Sequence, residues 1–382
     1  MALHKKILLV SWTLPPGKSG SVFVLQEIIK YFSSDELVVV GEKVPYGEPL
    51  SNMKYISSNP IRFRKGNRFL KWYRWFMVPH VTNEIIKVAK KEKCSAILCF
   101  FPDEIYLESA RRAAKKLKLP FYPYFHNTYV ENRTGVAKVI AKRIQERVFE
   151  QAKLVYVMSE GMVNFYKPIY PNINFKALVH PFNGTKADGF KGLKLENTPT
   201  VISFLGNLNE SNLDAFSFFV KCIANDAKYK LKIISSTPGW FYAKHNLMFD
   251  NIELLNAVGD DELMGELQNS HLLLLPHGFT GGFSEVEYQT IFPTRTIQYF
   301  FSGVPIIGLM PQNCFLYQYL AKKNCASLLS EKDKSKLLAE ISRISSDAIY
   351  AQNLVQNALL TSDEFKASNV LRELQNDLFF VE

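Results

Sequence analysis

Nothing in the 382-residue sequence approaches the run of about 20 apolar residues that a membrane-crossing helix needs. After Lys5-Lys6 only Ile7 to Val10 are apolar before polar residues intervene, which is too short for a signal-peptide core. The expectation is a soluble or peripheral protein. Cysteine is scarce. Cys94, Cys99, Cys222, Cys314 and Cys325 form an odd set without close metal-ligand spacing, so no metal site is expected and a reduced cytoplasm is the simplest home. The dinucleotide pattern G-x-G-x-x-G is missing, and Gly17-Lys18-Ser19 lacks the glycine five positions earlier that a P-loop has. No carboxylate pair has the spacing that marks a glycoside hydrolase.

What is present is a length suited to two domains and enough apolar residues, 47%, for two cores. A net charge of +10 and a pI near 9.1 favour an anionic partner: nucleotide, nucleic acid or acidic membrane surface. Apolar runs at Ile7–Trp12, Leu37–Val40, Ala96–Phe100, Pro120–Phe125 and Leu154–Met158 alternate with helical patterns such as Ser21–Phe32, Ala110–Leu117 and Lys138–Lys153. This alternation predicts an α/β fold with a parallel sheet covered on both faces. The polar, glycine-bearing stretch 185–199 reads as a linker. After it the pattern restarts with a strand at Val201–Leu205, a loop to Asn212 and a helix over Leu213–Ala224.

The segment from His271 to Gly308 is organised as strand, loop, helix and strand. The strand His271–Leu275 stops at Pro276, and Gly278, Gly281 and Gly282 make a loop whose backbone can approach a ligand closely. Pro293 then opens a helix over Thr294–Ser302, which Gly303 closes. The helix dipole disfavours a cation in the first turn, so Arg295 there suggests a negative partner, against the alternative that it is merely solvated.

Pro293-Thr294-Arg295-Thr296-Ile297-Gln298-Tyr299 and Ser302-Gly303-Val304-Pro305-Ile306-Ile307 resemble the "Pro-Ser-Lys, Glu-Tyr, Gly-x-Pro-Val-Ile" signature of GT-B glycosyltransferases of the retaining family 4 type. The resemblance implies two Rossmann-like domains facing across a cleft: 1–184 for the acceptor and 200–362 for the nucleotide sugar, joined by the linker. A terminal helix in 363–382 would cross back to the first domain. Thr294 and Arg295 would contact the donor diphosphate, and Gln298 would take the place of a glutamate that holds the ribose. An amide accepts with one end only, so ribose recognition would differ. The loop after the first strand of each domain would face the donor, with Gly20 in one and Asn207 and Asn212 in the other. Those two asparagines stand where the family often has a basic pair, leaving Arg295, helix amides and Lys18 to meet the anion. The backbone around Val258 and Gly259 would meet the base, and Gly281, Gly282 and Phe283 the sugar, with Glu285 and Glu287 as further hydroxyl acceptors. His126 and Asn127 follow the strand Pro120–Phe125, and in the family a histidine at that place lies beside the transferred sugar. His126 and Arg295 are therefore the catalytic candidates. A lone histidine is otherwise more often structural.

The resemblance implies sugar transfer from a UDP- or GDP-linked donor, ahead of a CMP-linked one, to a glycan or lipid-linked glycan in cell-surface polysaccharide synthesis. The hexosyltransferase-like chemistry would be metal-independent and need no other cofactor. Retention would come from front-face attack, with the leaving phosphate accepting the acceptor's proton. The stretch 61–80 interleaves Arg62, Arg64, Lys65, Arg68, Lys71 and Arg74 with aromatics that include Trp72 and Trp75. It reads as a core-facing helix with a basic back, or as a peripheral contact with an anionic membrane on its cytoplasmic face. Three other functions stay open: a nucleotide-sugar epimerase using Asp103, Glu104 or Glu285; a catalytically inactive scaffold, which would explain Asn207, Asn212 and Gln298 together; and a nucleic-acid binder through 61–80. Nucleic acid is the last of these and is not expected as a partner.

Overall fold

A computed structural model describes residues 5–15, 20–42, 53–56, 74–101, 103–192, 199–256, 259–282 and 284–379. Lys18, Trp72, Val258, Phe283 and most of the basic-aromatic stretch 61–80 lie outside them. Two compact units are formed, Met1–Pro181 with Ala367–Glu382, and Phe182–Lys366.

The first unit is built on strands β1 (Lys6–Ser11), β2 (Leu37–Glu42), β3 (Met53–Ile56), β4 (Cys94–Phe101), β5 (Phe121–Phe125), β6 (Val155–Val157) and β7 (Phe175–Ala177). All pairings are parallel, in the order β3-β2-β1-β4-β5-β6-β7. Ile7, Leu8 and Leu9 have no exposed surface, which is why β1 reads as a continuous apolar run and not as an alternation. Helices α1 (Gly20–Tyr31), α2 (Val78–Lys91), α3 (Glu104–Leu117), α4 (Gly135–Gln151) and α5 (Glu160–Ile169) connect the strands. The sequence pattern starts α3 at Ala110, but the helix begins six residues earlier, at Glu104, because Asp103 caps it by accepting from the amides of Ile105 and Tyr106. The last strand of the sheet ends at Ala177, and Phe182 further on forms an isolated bridge with Lys366.

The second unit has β8 (Thr200–Leu205), β9 (Tyr229–Ile234), β10 (Ile252–Leu255), β11 (Leu272–Pro276), β12 (Ile306–Leu309) and β13 (Ser327–Leu329). Their order, β10-β9-β8-β11-β12-β13, is again parallel and repeats the first six strands of the other sheet. Its helices are α6 (Leu213–Ile223), α7 (Gly239–Lys244), α8 (Asp260–Gln268), α9 (Glu285–Thr290), α10 (Thr294–Ser302), α11 (Phe315–Lys323), α12 (Lys334–Ser346) and α13 (Ala348–Thr361). Sequence periodicity places α10 correctly and does not reveal α9 or α13, which Ser284 and Asp347 cap from side chains. Gly303 ends α10 at φ 74°, and a Cβ there would lie 2.8 Å from the Gly189 carbonyl oxygen, so chain from the polar stretch before β8 passes against it.

A short 3₁₀ turn, Ser362–Phe365, precedes the final helix α14 (Ala367–Phe379). That helix packs in the first unit: Val370, Leu371, Leu374 and Leu378 join Val24, Leu25 and Ile28 of α1 in one core, and Asp377 takes bonds from Tyr156 and Lys176. In both sheets the strand order reverses beside the first strand, and ligands of such folds bind beyond the carboxyl ends of the strands at that point.

Candidate functional site

In the second unit, β8 and β11 pair only through Ile202–Leu272 and Ser203–Leu273. Towards their carboxyl ends a side chain takes over. The buried Tyr299 hydroxyl accepts from the Leu205 amide at 2.8 Å and donates to the Leu274 carbonyl at 3.1 Å. Burial pushes this phenol up to about 12, so it remains a donor at neutral pH. The bond ties α10 to both strands. Arg295 lies four residues earlier on the same helix face, and its guanidinium sits 4.9 Å from the Phe204 ring centroid. Gly206, at φ 109°, passes beneath it: a Cβ there would lie 3.3 Å from the guanidinium carbon. Nη1 of Arg295 is buried without a hydrogen-bond partner, and burial lowers the pKa of the group. A guanidinium stays charged in a protein, so this is a cation held at a helix N-terminus without a carboxylate. His277, just beyond β11, is buried with Nε2 2.7 Å from the Tyr288 carbonyl oxygen. Burial first, with the nearby Arg295 charge adding to it, brings its pKa down to about 4.

The loop after β8 is self-contained. Asn212 is buried; its Oδ1 accepts from the Asn209 amide and its Nδ2 donates to the Asn207 carbonyl. The Asn207 Oδ1 accepts from the Ser236 amide and from Ser235 Oγ. The two asparagines thus shape the loop by side-chain bonding. The glycine loop beyond β11 packs on this one. Gly278 donates to the Ser211 carbonyl at 2.6 Å, and Asp214, in the first turn of α6, takes the amides of Phe279 and Thr280. Lys332 contributes to the same carboxylate at 3.3 Å. The close approach that Gly281 and Gly282 allow is to Tyr288 and Glu210: a Cβ would fall 1.8 Å from the Tyr288 hydroxyl oxygen and 1.6 Å from a Glu210 carboxylate oxygen. Neither Asp214 nor Glu210 stands out in the sequence, because their partners lie far along the chain.

Thr294 and Gln298 flank Arg295 on α10 and are half-buried, and Gly259 is exposed before the first turn of α8. Glu285 is exposed on α9 and accepts from Gln289, while Glu287 is buried.

The first unit carries a different constellation. His126 follows β5 and His180 lies three residues beyond β7, and their ring centroids are 5.5 Å apart. Both are buried, and none of their four ring nitrogens has a hydrogen-bond partner. Tyr124 and Phe100 pack around His126, at 4.2 and 5.2 Å between centroids. Burial holds both imidazoles neutral: His180 comes down to about 4, and His126 falls well below its usual value by burial and by the neighbouring His180. His180 escaped the sequence reading, although a lone polar residue within the otherwise apolar run from Ala177 to Phe182 was a usable signal. Asn127 is exposed beside His126, Gly20 opens α1, and Trp75 is half-buried ahead of α2. Asp103 and Glu104 are engaged elsewhere: Asp103 caps α3 and pairs with Arg74 at 2.7 Å, and Glu104 accepts from Tyr129.

Among the described residues no group of three or more His, Cys, Asp or Glu could hold a metal ion, and no helix is long and apolar enough to cross a membrane. No protein-family model and no curated protein matches the sequence. By shape the chain is similar to sucrose-phosphate synthase of Thermosynechococcus elongatus, with a TM-score of 0.68 and 12% identity over 97% of this chain and 98% of that one. Anabaena HepE in complex with UDP-glucose gives 0.68 and 13% over 98% and 99%. A glycosyltransferase from Rickettsia africae gives 0.67 and 15% over 99% and 100%. The strand order, the paired units and this likeness along whole chains establish that the protein has the GT-B glycosyltransferase fold.

Proposed function

We propose that the protein is a glycosyltransferase that takes a sugar from a nucleotide-activated donor, with the second unit holding the donor diphosphate at the N-terminus of α10. The observation that carries this reading is Arg295, whose buried Nη1 is unpartnered at a helix end where amides also lack intrahelical acceptors. A diphosphate would satisfy both. As the bond to the sugar breaks, negative charge grows on the leaving phosphate, and the guanidinium and the helix dipole stabilise it without moving. Thr294 and Gln298, one helical turn apart, would then meet the phosphate and the ribose. Retention follows if the acceptor hydroxyl attacks from the leaving-group side and gives its proton to the departing phosphate, which requires no side-chain base. The acceptor would be a glycan or lipid-linked glycan hydroxyl of a cell-surface polysaccharide. HepE and a trehalose-6-phosphate enzyme, both of this fold, were solved with UDP-glucose or an analogue, which favours a UDP-linked donor here.

A second reading is a scaffold without activity. It is favoured by the engagement of Asn207 and Asn212 in their own loop, which leaves no cation at the two places where the resembling family often has them. Thermal denaturation with UDP, GDP, ADP and CMP, with and without EDTA, separates the two. A ligand that binds only the folded state raises stability by about RT ln(1 + [L]/Kd). The transferase reading expects a rise with UDP or GDP that EDTA does not alter. No rise with any of the four transfers the conclusion to the scaffold.

A further inference from the structure

The carboxyl edge of the first unit holds a second group of residues, besides the two histidines, that the donor reading does not use. It stands at the crevice between β1 and β4, where the strand order of this sheet reverses. Three strand ends meet there: Trp12 follows β1, Glu42 ends β2, and Asp103 lies just beyond β4. The Glu42 amide donates to the Trp12 carbonyl at 3.3 Å, and Ser11 Oγ donates to the Thr13 carbonyl at 2.8 Å, so the chain that carries Trp12 is tied down. Gly41 permits this, since a Cβ there would lie 2.1 Å from the Ser11 carbonyl oxygen.

Trp12 is 39% exposed, and the Arg74 guanidinium lies over its ring, 5.1 Å from the centroid. Nη1 of Arg74 donates to Asp103 Oδ2 at 2.7 Å, while Asp103 Oδ1 is taken by two amides at the start of α3. The helix start thus fixes the carboxylate, and the carboxylate fixes the guanidinium. Nη2 of Arg74 is buried without a hydrogen-bond partner. Burial works against this cation, but the charge and hydrogen bond of Asp103, with Glu42 behind them, outweigh it. Glu42 itself accepts from the Tyr106 hydroxyl at 3.0 Å.

An exposed indole beside a fixed, planar donor suits a ring with a flat C–H face and oxygens around its rim, which is the make-up of a pyranose. Charge narrows the class further. One guanidinium is set against two carboxylates, so an anionic substituent would meet net repulsion, whereas a hydroxyl oxygen would satisfy Nη2. We propose that Trp12 and Arg74 form a subsite for an uncharged sugar ring, stacked on the indole with a hydroxyl oxygen accepting from Nη2. For the role of that sugar, a unit of the acceptor glycan, the inference rests on the transferase reading above. Trp12 and Arg74 then help to set which acceptor is taken, and Asp103 positions Arg74.

Saturation-transfer NMR on the full chain without nucleotide tests it, with methyl glycosides of glucose, galactose and mannose set against those of the matching uronic acids. At least one neutral glycoside is expected to receive saturation, and its uronic counterpart to bind roughly fivefold more weakly. Trp12→Ala lowers the affinity by about 5- to 10-fold through the lost aromatic contact, and Trp12→Phe, which keeps a ring, restores most of it. Arg74→Lys retains a cation for Asp103 but loses Nη2; it lowers the affinity by a similar factor while the melting temperature stays close to the original. Tyr31→Ala removes an aromatic of like exposure, 38%, from the far end of α1 and leaves binding unchanged. No saturation of any neutral glycoside, uronic acids that bind as well or better, Trp12→Ala and Arg74→Lys proteins that bind like the original, or an equal loss in Tyr31→Ala would each overturn the proposal. A UDP titration run alongside keeps the two readings apart. Glycoside binding without UDP binding fails the donor site alone, and UDP binding without glycoside binding fails this subsite alone.

Discussion

The carboxyl edges of the two sheets differ in the charge they hold. Strand order is the same through six strands, yet one edge presents two neutral imidazoles, His126 and His180, and the other a buried cation, Arg295. Burial explains part of this contrast. It pushes a histidine to its uncharged form, because the proton can leave, whereas an arginine keeps its charge and remains unsatisfied. Topology therefore fixes where a ligand sits, and the side chains at the strand ends fix what kind it is. An anion is what would satisfy an unpartnered cation, and a hydroxyl is what would satisfy an unpartnered neutral imidazole.

The largest expected effect breaks the scaffold of the second edge. Gly281→Ala would drive a Cβ into the Tyr288 hydroxyl and, at 2.2 Å, the Glu210 carbonyl oxygen, so the two loops must separate. A loss of about 3 kcal/mol in unfolding free energy is expected from denaturant titration. A loss under about 0.5 kcal/mol would mean that these glycines serve something other than loop packing.

Arg295→Met sharpens the contrast. Removing an unpaired buried cation while keeping its bulk over Phe204 should raise the unfolding free energy, by about 1 to 2 kcal/mol, even as it removes the charge proposed to meet the diphosphate. A lower melting temperature would show that the guanidinium is structural.

The acid response probes both edges together. His180 and His277 titrate near 4 in the fold against an ordinary 6.5, and His126 is also lowered. Between those limits the unfolded chain binds more protons than the folded one. Stability is thus full above pH 6.5 and is lost as pH falls toward 4, by roughly 1 kcal/mol per pH unit for each histidine. His180→Phe should reduce that slope by one histidine's share in chemical denaturation at a series of pH values. An unchanged slope would place His180 in a solvated setting.

An effect of similar size concerns the asparagine loop. Asn212→Ala removes the acceptor of the Asn209 amide and the donor to the Asn207 carbonyl, at a cost of about 1 to 2 kcal/mol in stability. A change in nucleotide affinity without a change in stability would return Asn212 to the ligand.

What the sequence disclosed follows the range of the interactions. The βα alternation, the span of α10 and the left-handed Gly303 depend on residues close in the chain, and all were legible. The six-residue α9 gives too short a pattern for periodicity, although Ser284 with Glu287 three residues on is a capping signal. Through position the sequence singled out Arg295 and His126, and both carry buried nitrogens without hydrogen-bond partners. What could not be read is how the loops use their own polar groups. Asp214 takes the amides of Phe279 and Thr280 across about 65 residues of chain. His180 meets His126 only because two strands, β6 and β7, bring it back to the same edge.

The central claim is that Arg295 holds a nucleoside diphosphate without help from a metal. Titration calorimetry of the protein with UDP in EDTA, repeated with Arg295→Ala, tests it most directly. The original protein is expected to bind, and the variant to bind with an affinity lower by roughly 10- to 150-fold, the range of a lost charge-assisted hydrogen bond. Equal affinity in the two proteins would contradict it, as would binding that disappears when EDTA is added.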